Sequence, residues 1–288
     1  MSVNGFVPLV WSDQILDILE KIQVAGNLCN RDYEGEIKGF GDSVRINEIG
    51  DIAINTYTKN STTNLTIQEL TDAGQILQIT RSRYFGFKLD DVDNAQTKPK
   101  LMEKATQRAA YGMKDDMDTW ILQTLSSGGF FAGTNSTQLG STVTELSVTS
   151  TLVLNAMSWA ARIHDANNVP TNGRWMVVSP DIKFDMVMAK IIADTNNSAT
   201  IQNGNIPAGN FYGYDIYVSN NTPRLGAASS QHCCIFGHSM GVTFAQQLAD
   251  MEAFRLTDQG FGDAVKGLNL YGMKVTRPAA ILRGVFSV

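Results

Sequence analysis

The chain has 288 residues, 43% of them hydrophobic and 18% charged, proportions of a folded globular protein that exclude wholesale disorder. Lys and Arg number 23 against 28 Asp and Glu, a formal charge of −5 with no arm rich in one sign, so a polybasic segment that coats DNA by releasing counterions is excluded. A compact body of this length would expose about 12,000 Å² of the roughly 46,000 Å² in the unfolded chain, which leaves room for a sizeable core.

The opening residues, Met1-Ser2-Val3-Asn4-Gly5-Phe6-Val7-Pro8, have neither a basic leader nor an apolar stretch of signal-peptide length. No later run approaches the roughly 20 apolar residues of a membrane span. These features predict synthesis and function on the cytoplasmic side, with no membrane partner. The three cysteines, Cys29, Cys233 and Cys234, two of them adjacent, cannot frame a disulfide-rich fold and read as reduced thiols.

After Pro8, Ser12 can cap a short amphipathic helix that carries Ile15, Ile18, Leu19 and Ile22 at helical spacing. The polar stretch from Asn27 to Gly41, with Gly35, Gly39 and Gly41, reads as a connector. From Asp42 the period becomes two, placing Val44 and Ile46 on one face of a strand. Its expected partner is the run from Ile76 to Leu89, where Leu77, Ile79, Phe85, Phe87 and Leu89 share one parity. Between them, Asn55 to Thr66 is polar and nearly free of large apolar groups, a hairpin tip without a core. An isolated two-stranded ribbon is marginal in water, so this arm needs a surface to lie on, in its own chain or another copy.

Pro99 to Leu125 is the most helical stretch, with Met102, Ala105, Ala109, Met113, Met117, Trp120 and Ile121 three or four apart, and it predicts a core-facing helix. Such a helix spans about 39 Å and suits the backbone of an elongated subunit. A loop rich in Gly, Ser and Thr, from Ser126 to Ser147, leads to a helix near Leu152 to Ile163, a strand Trp175 to Val178, a helix Ile182 to Ala193 begun by Ser179-Pro180-Asp181, and a strand Tyr214 to Ser219. This alternation indicates an α/β layer. The remainder turns β-rich, with strands expected at 231–236, 242–256, 266–277 and 281–287.

Several motifs touch on chemistry. Gly237-His238-Ser239-Met240-Gly241 fits the G-x-S-x-G nucleophile elbow, the basis of a serine hydrolase reading. Against it, His164, His232 and His238 all precede Ser239, whereas the base histidine of an α/β-hydrolase follows the serine, so a turn at a strand end is expected instead. His232, Cys233, Cys234 and His238 have metal-ligand chemistry, but adjacent strand side chains point to opposite faces, and Cys233 and Cys234 are expected as buried thiols. Asp90, Asp91 and Asp93, and likewise Asp115, Asp116 and Asp118, read as solvated faces or a helix entry. His164 reads as a surface or packing residue. The inventory thus predicts no catalytic residue, no cofactor and no metal site, and a protein that is not an enzyme.

Three stretches carry a resemblance. Ala161 to Pro180, with Val169-Pro170, Gly173-Arg174-Trp175, a hydrophobic strand and Ser179-Pro180, is similar to a passage of the major capsid proteins of tailed double-stranded-DNA bacteriophages, whose fold is shared with encapsulins. Gly209 to Pro223, with its strand followed by Ser219-Asn220 and Pro223, and Gly262 to Pro278, with Gly262-Asp263, Val265-Lys266-Gly267, Tyr271-Gly272, Lys274 and Arg277-Pro278, resemble later segments of that family in the same order.

The resemblance implies an α+β tailed-phage major capsid fold with an N-terminal arm at 1–41, an extended β-hairpin loop at 42–92, a peripheral domain with its long spine helix at 93–125, an axial α/β domain at 126–240, long peripheral strands at 241–278 and a C-terminal strand at 279–288 returning to the axial domain. It implies self-assembly into hexamers and pentamers of an icosahedral shell enclosing the genome, virion localisation after assembly in the host cytoplasm, a separate scaffolding protein, a portal protein, and weakly held packaged DNA. An encapsulin-like nanocompartment shell is the alternative that shares the fold. The subunit-contact candidates are Tyr57, Lys59, Asn60 and Thr63 near the loop tip and Ile15 and Leu19 in the arm. Lys59 lies where some relatives place a cross-linking lysine, but no partner asparagine or acid can be assigned.

Overall fold

The computed structural model describes residues 24–33, 43–47, 52–56, 67, 69, 74–90, 101–128, 146–147, 150–188, 213–225, 231–255 and 262–287. The expected N-terminal helix with Ile15 and Leu19, the loop tip with Tyr57, Lys59, Asn60 and Thr63, Asp91 and Asp93, and residues 189–212 lie outside the described residues.

Two sheets and a long helix organise the described residues. The first sheet has the order β4-β11-β8-β5-β6, from Leu146–Ser147 (β4), Ile281–Ser287 (β11), Gln231–His238 (β8), Arg174–Val178 (β5) and Tyr214–Val218 (β6), with Arg224–Leu225 (β7) also paired to β8. Every residue of β5 and β8 is buried. Strands buried on every residue, with apolar runs at 175–178 and 233–236, are the signature of a sheet covered on both faces.

On one face, Met176, Val178, Cys234, Phe236, Leu282 and Phe286 pack against Ala156, Met157 and Ala160 of helix α2 (Ser150–Ala166) and Ile182 and Met186 of helix α3 (Pro180–Met188). On the other face, Trp175, Val177, Ile235 and Ile281 meet Ile121, Leu122 and Leu125 of helix α1 (Leu101–Gly128). Helix α3 starts as its sequence predicts, with Ser179 Oγ accepting from the Ile182 N–H at 3.3 Å, Pro180 first and Asp181 in the first turn.

Helix α1 spans about 42 Å at 1.5 Å per residue. Among its described side chains, deep burial runs from Asp118 to Ser126, and the Arg283 guanidinium donates to the Ser126 carbonyl at 3.1 Å near its end. The core-facing stripe therefore holds for Ile121, while Ala105, Ala109 and Met113 are only half-buried.

The second sheet has the order β3-β10-β9, from Arg81–Asp90, Gly262–Val275 and Val242–Arg255. Its register pairs Tyr271 with Arg81 and with Gln246, and one bulge falls between Leu268 and Asn269. A separate ribbon joins Ser43–Ile46 (β1) to Gln75–Gln78 (β2). The expected pairing of the first strand with the whole run from Ile76 to Leu89 thus stops at Gln78. Residues 81–90 pair with β10 instead, because β10 offers ten successive partners where β1 offers four.

The connector expected from Asn27 also differs at its start. Ala25, Leu28 and Cys29 are buried in the core beside Ile121 and Leu122, around a 3-10 turn at Ala25–Asn27, and Asn30 bridges to Thr243.

Candidate assembly surface

The ribbon shows how an arm without a core of its own is held. Val44 and Leu77, with Ile79 just past the ribbon, pack on Ala245 and Leu270 of the long sheet, on the face opposite helix α1. The fit is close: a Cβ on Gly272 would lie 2.2 Å from the Gln78 carbonyl oxygen and 2.9 Å from the Ile79 Cα, so only glycine lets the strand pass. Gln75 Nε2 adds a hydrogen bond of 3.1 Å to the Thr276 carbonyl.

Beyond this base the described isoleucines face water. Ile52 is 65% exposed, Ile54 98% and Ile67 91%. They lie in sequence between the ribbon strands and flank the tip residues singled out above. Sequence reading passed over them, because isolated isoleucines in a polar run show no period. Tyr84 on β3 is also exposed, and near it on the same outer face Lys266 pairs with Glu252 at 2.8 Å and stands 5.1 Å from the Phe254 ring.

Of the α1 carboxylates, Asp118 departs from the solvated face expected of them, whereas Asp115 and Asp116 are half-buried and engage partners from there. Asp116 accepts from the Tyr271 hydroxyl at 2.8 Å and from Arg83 Nε at 2.9 Å, tying α1 to β10 and β3. Asp118 is 1% exposed and accepts from the N–H groups of Val24 and Ala25 and from Asn221 Nδ2, which also donates to Asp115. Helical spacing alone cannot show that the partners of such a cluster come from four distant segments.

The motif at Gly237 to Gly241 is a turn between β8 and β9. A Cβ on Gly237 would meet the Trp175 ring at 2.5 Å, and one on Gly241 would meet Ala280 at 2.9 Å, so packing requires both glycines. The His238 ring is occupied away from Ser239: Nδ1 accepts from the Met240 N–H at 3.2 Å and Nε2 lies 2.8 Å from the Asn172 carbonyl. Near β7, His232 Nδ1 approaches both Ser179 Oγ (3.1 Å) and Asp181 Oδ2 (3.3 Å). A triad needs the two contacts on opposite ring nitrogens, and here one nitrogen makes both.

Cys234 packs in the cluster under α2, whereas Cys233 has the opposite parity; burial pushes the Cys233 and Cys29 thiols up to about 12 and the Cys234 thiol well above its ordinary value. No group of three or more potential metal-ligating side chains occurs among the described residues, and no helix there is long and apolar enough to cross a membrane.

His164 is fully buried in the α2 core, with Nδ1 2.6 Å from the Tyr214 hydroxyl and Nε2 without a hydrogen-bond partner among the described residues. Desolvation, then the Arg174 and His238 charges, lowers its pKa to about 4 against a smaller opposing effect of Asp165. Of the two roles expected for it, packing is the one observed.

The family described as phage capsid protein matches residues 74–284, nearly three quarters of the chain. The chain belongs to this phage capsid protein family. No curated protein matches the sequence. Among solved structures, one from Mycobacterium phage Che8 is similar at 25% identity and a TM-score of 0.78, covering 99% of this chain and 98% of that one. The capsid structure of cyanophage P-SCSP1u shares the fold at 14% identity and a TM-score of 0.73, covering 97% and 92%. The capsid of Ralstonia phage GP4 does so at 12% and 0.66, covering 100% and 98%.

The chain is therefore a major capsid protein, a structural component of the virion shell with the mixed helix and sheet fold of its family. Each motif that suggested this has a physical role. In the first, Arg174 is buried and donates to the carbonyls of Val169 (2.6 Å) and Pro170 (2.9 Å) and to Asp165 (2.7 Å), locking the turn into β5, while Gly173 adopts a φ of 79°. In the second, Gly213 has a φ of 81° before β6, and Ser219 Oγ accepts from the Asn221 N–H at 3.1 Å. In the third, Tyr271 meets Asp116 and Gly272 clears the ribbon.

Proposed function

We propose that this capsid protein closes an icosahedral shell of hexamers and pentamers around phage DNA, with residues 1–41 and the 42–92 loop overlapping neighbouring subunits. One observation carries the reading: among the described residues the ribbon packs on its own sheet at its base, and Ile52, Ile54 and Ile67 beyond it are left in water. In a family of capsid proteins, a neighbouring subunit is the molecule that would cover them.

The contact set we assign is Tyr57, Lys59, Asn60 and Thr63 at the tip and Ile15 and Leu19 in the arm, joined by Ile52, Ile54 and Ile67. Contacts near millimolar strength supply only about −4 kcal/mol each, so a single pair is fleeting and a misplaced subunit can leave. Several per subunit hold a closed lattice through effective concentration. The partition into peripheral regions (93–125 and 241–278), an axial domain (126–240) and a returning strand (279–288) belongs to this proposal. So do a separate scaffolding protein, a portal, assembly in the host cytoplasm, weak contact with packaged DNA and the absence of enzymatic activity.

Deleting residues 55–66 and imaging the product by electron microscopy tests the proposal. The expected outcome is a folded subunit that fails to close shells. Unfolding of the isolated variant would place the tip in an internal core, and normal closed shells would remove the overlap from the mechanism.

A further inference from the structure

One buried carboxylate holds the first described residues of the chain. Asp118 Oδ1 accepts from the backbone N–H of Val24 at 2.9 Å and of Ala25 at 2.7 Å, and its Oδ2 accepts from Asn221 Nδ2 at 3.0 Å. Val24 caps the 3-10 turn at Ala25–Asn27 and supplies no side-chain hydrogen bond to it. The acceptor that a local Ser or Asp would offer comes instead from the middle of α1, 93 residues away from Ala25. Five residues on, the Asn30 N–H donates to the Val242 carbonyl and its carbonyl accepts from the Phe244 N–H, each at 2.9 Å. The path from 24 to 30 is therefore pinned at both ends.

Apolar contacts of Ala25, Leu28 and Cys29 with Ile121 and Leu122 already bury this segment. A buried carboxylate is a poor device for stability alone, because removing the charge from water offsets most of what its hydrogen bonds return. What it adds is direction: two adjacent N–H groups on one oxygen fix how residues 24 and 25 lie against α1. Asn221 couples that placement to the loop that follows β6, since it donates to Asp118 and to Asp115 at 2.8 Å while Ser219 Oγ accepts from its N–H.

We propose that Asp118 is a positioning residue for assembly, aiming the N-terminal arm at neighbouring subunits and, through Asn221, tying that aim to residues 219–223. The inference rests on the arm's role in the proposed function. It assigns no ligand to the acidic cluster.

The test uses the full chain carrying Asp118→Asn, which keeps side-chain volume but turns one oxygen into a donor facing the Asn221 amide, and separately Asn221→Ala. Hydrogen exchange at the amides of residues 24 and 25 is expected to speed up about tenfold or more in Asp118→Asn, with the core strands still protected. Asn221→Ala, which does not touch the turn, is expected to speed the same amides through Asp118, and in both variants closed shells give way to open or irregular particles. Unchanged exchange at 24 and 25 in Asp118→Asn, or normal shells despite faster exchange, overturns the assignment. Should Asp118→Asn fail to fold, Asn221→Ala decides alone: an effect confined to 219–223 overturns the coupling. Ile15→Ser with Leu19→Ser separates the two levels. Normal shells in that variant refute the role of the arm itself, whereas failed shells there with normal shells in Asp118→Asn refute only the positioning role.

Discussion

Acid weakens this subunit through His164, and the size of the effect follows from its site. In the unfolded chain the imidazole takes up its proton near the ordinary value of 6.5; in the folded chain it resists until about 4, because it is buried against Tyr214 with the Arg174 and His238 charges nearby. The folded pKa is depressed below the unfolded one, so the unfolded state binds the proton first and the native state loses stability as pH falls from 6.5 towards 4. Above that window the contribution is fully present, and below it the loss is complete. Between about pH 7.5 and about pH 4.5 the linkage integral gives roughly 2 to 3 kcal/mol from this one group, a large share of a typical domain's stability.

The assay is urea unfolding of the dissociated subunit at both pH values, for the natural chain and for His164→Gln, which keeps a carbonyl acceptor for the Tyr214 hydroxyl but does not titrate. The carboxylates contribute their own pH dependence to both chains, so the difference between the two slopes isolates His164. The natural chain is expected to lose roughly 2 to 3 kcal/mol more than the variant across that interval. Equal losses would mean that the ring accepts a proton inside the fold without penalty, and the burial account of His164 would be wrong.

Two glycines with opposite surroundings give a second prediction. Gly272→Ala, whose Cβ would press on the Gln78 backbone, is expected to cost about 1 to 3 kcal/mol and to lift the ribbon from its base, seen as faster exchange in residues 75–78. Gly112→Ala, with nothing within 4 Å of the new Cβ on α1, is expected to stabilise by about 0.5 to 1 kcal/mol; equal effects at the two positions would contradict the close approach. Ser239→Ala is expected to change stability by less than about 0.5 kcal/mol and to leave shell formation intact; loss of assembly or of any hydrolytic activity would return the serine to consideration.

The elements that were legible were those with a local cause. The α1 helix itself, the Ser179-Pro180-Asp181 helix start, the apolar run 175–178 of β5 and the long strands after Gly241 each follow from periodicity or capping within a few residues, and the structure places them within a few positions of expectation. The exposed isoleucines of the assembly surface were not legible, because a side chain left in water and one that packs have the same composition and differ only in what lies nearby.

By itself the sequence determined the α1, α2 and α3 helices, the strands at 174–178, 214–218 and after 231, and, through three ordered motifs, the family to which the chain belongs. Only the tertiary structure decided where the ribbon ends and the long sheet begins, since Gln75–Gln78 and Arg81–Asp90 share one hydrophobic pattern yet pair with strands at opposite ends of the chain. It also decided that Asp118 is an internal anchor, that the half-exposed Asp116 ties α1 to β10 and β3, and that His164 is a buried neutral ring. The reason is the same in each case: periodicity reports which way a side chain faces, whereas pairing, charge burial and pKa depend on partners that only folding brings within a few ångströms.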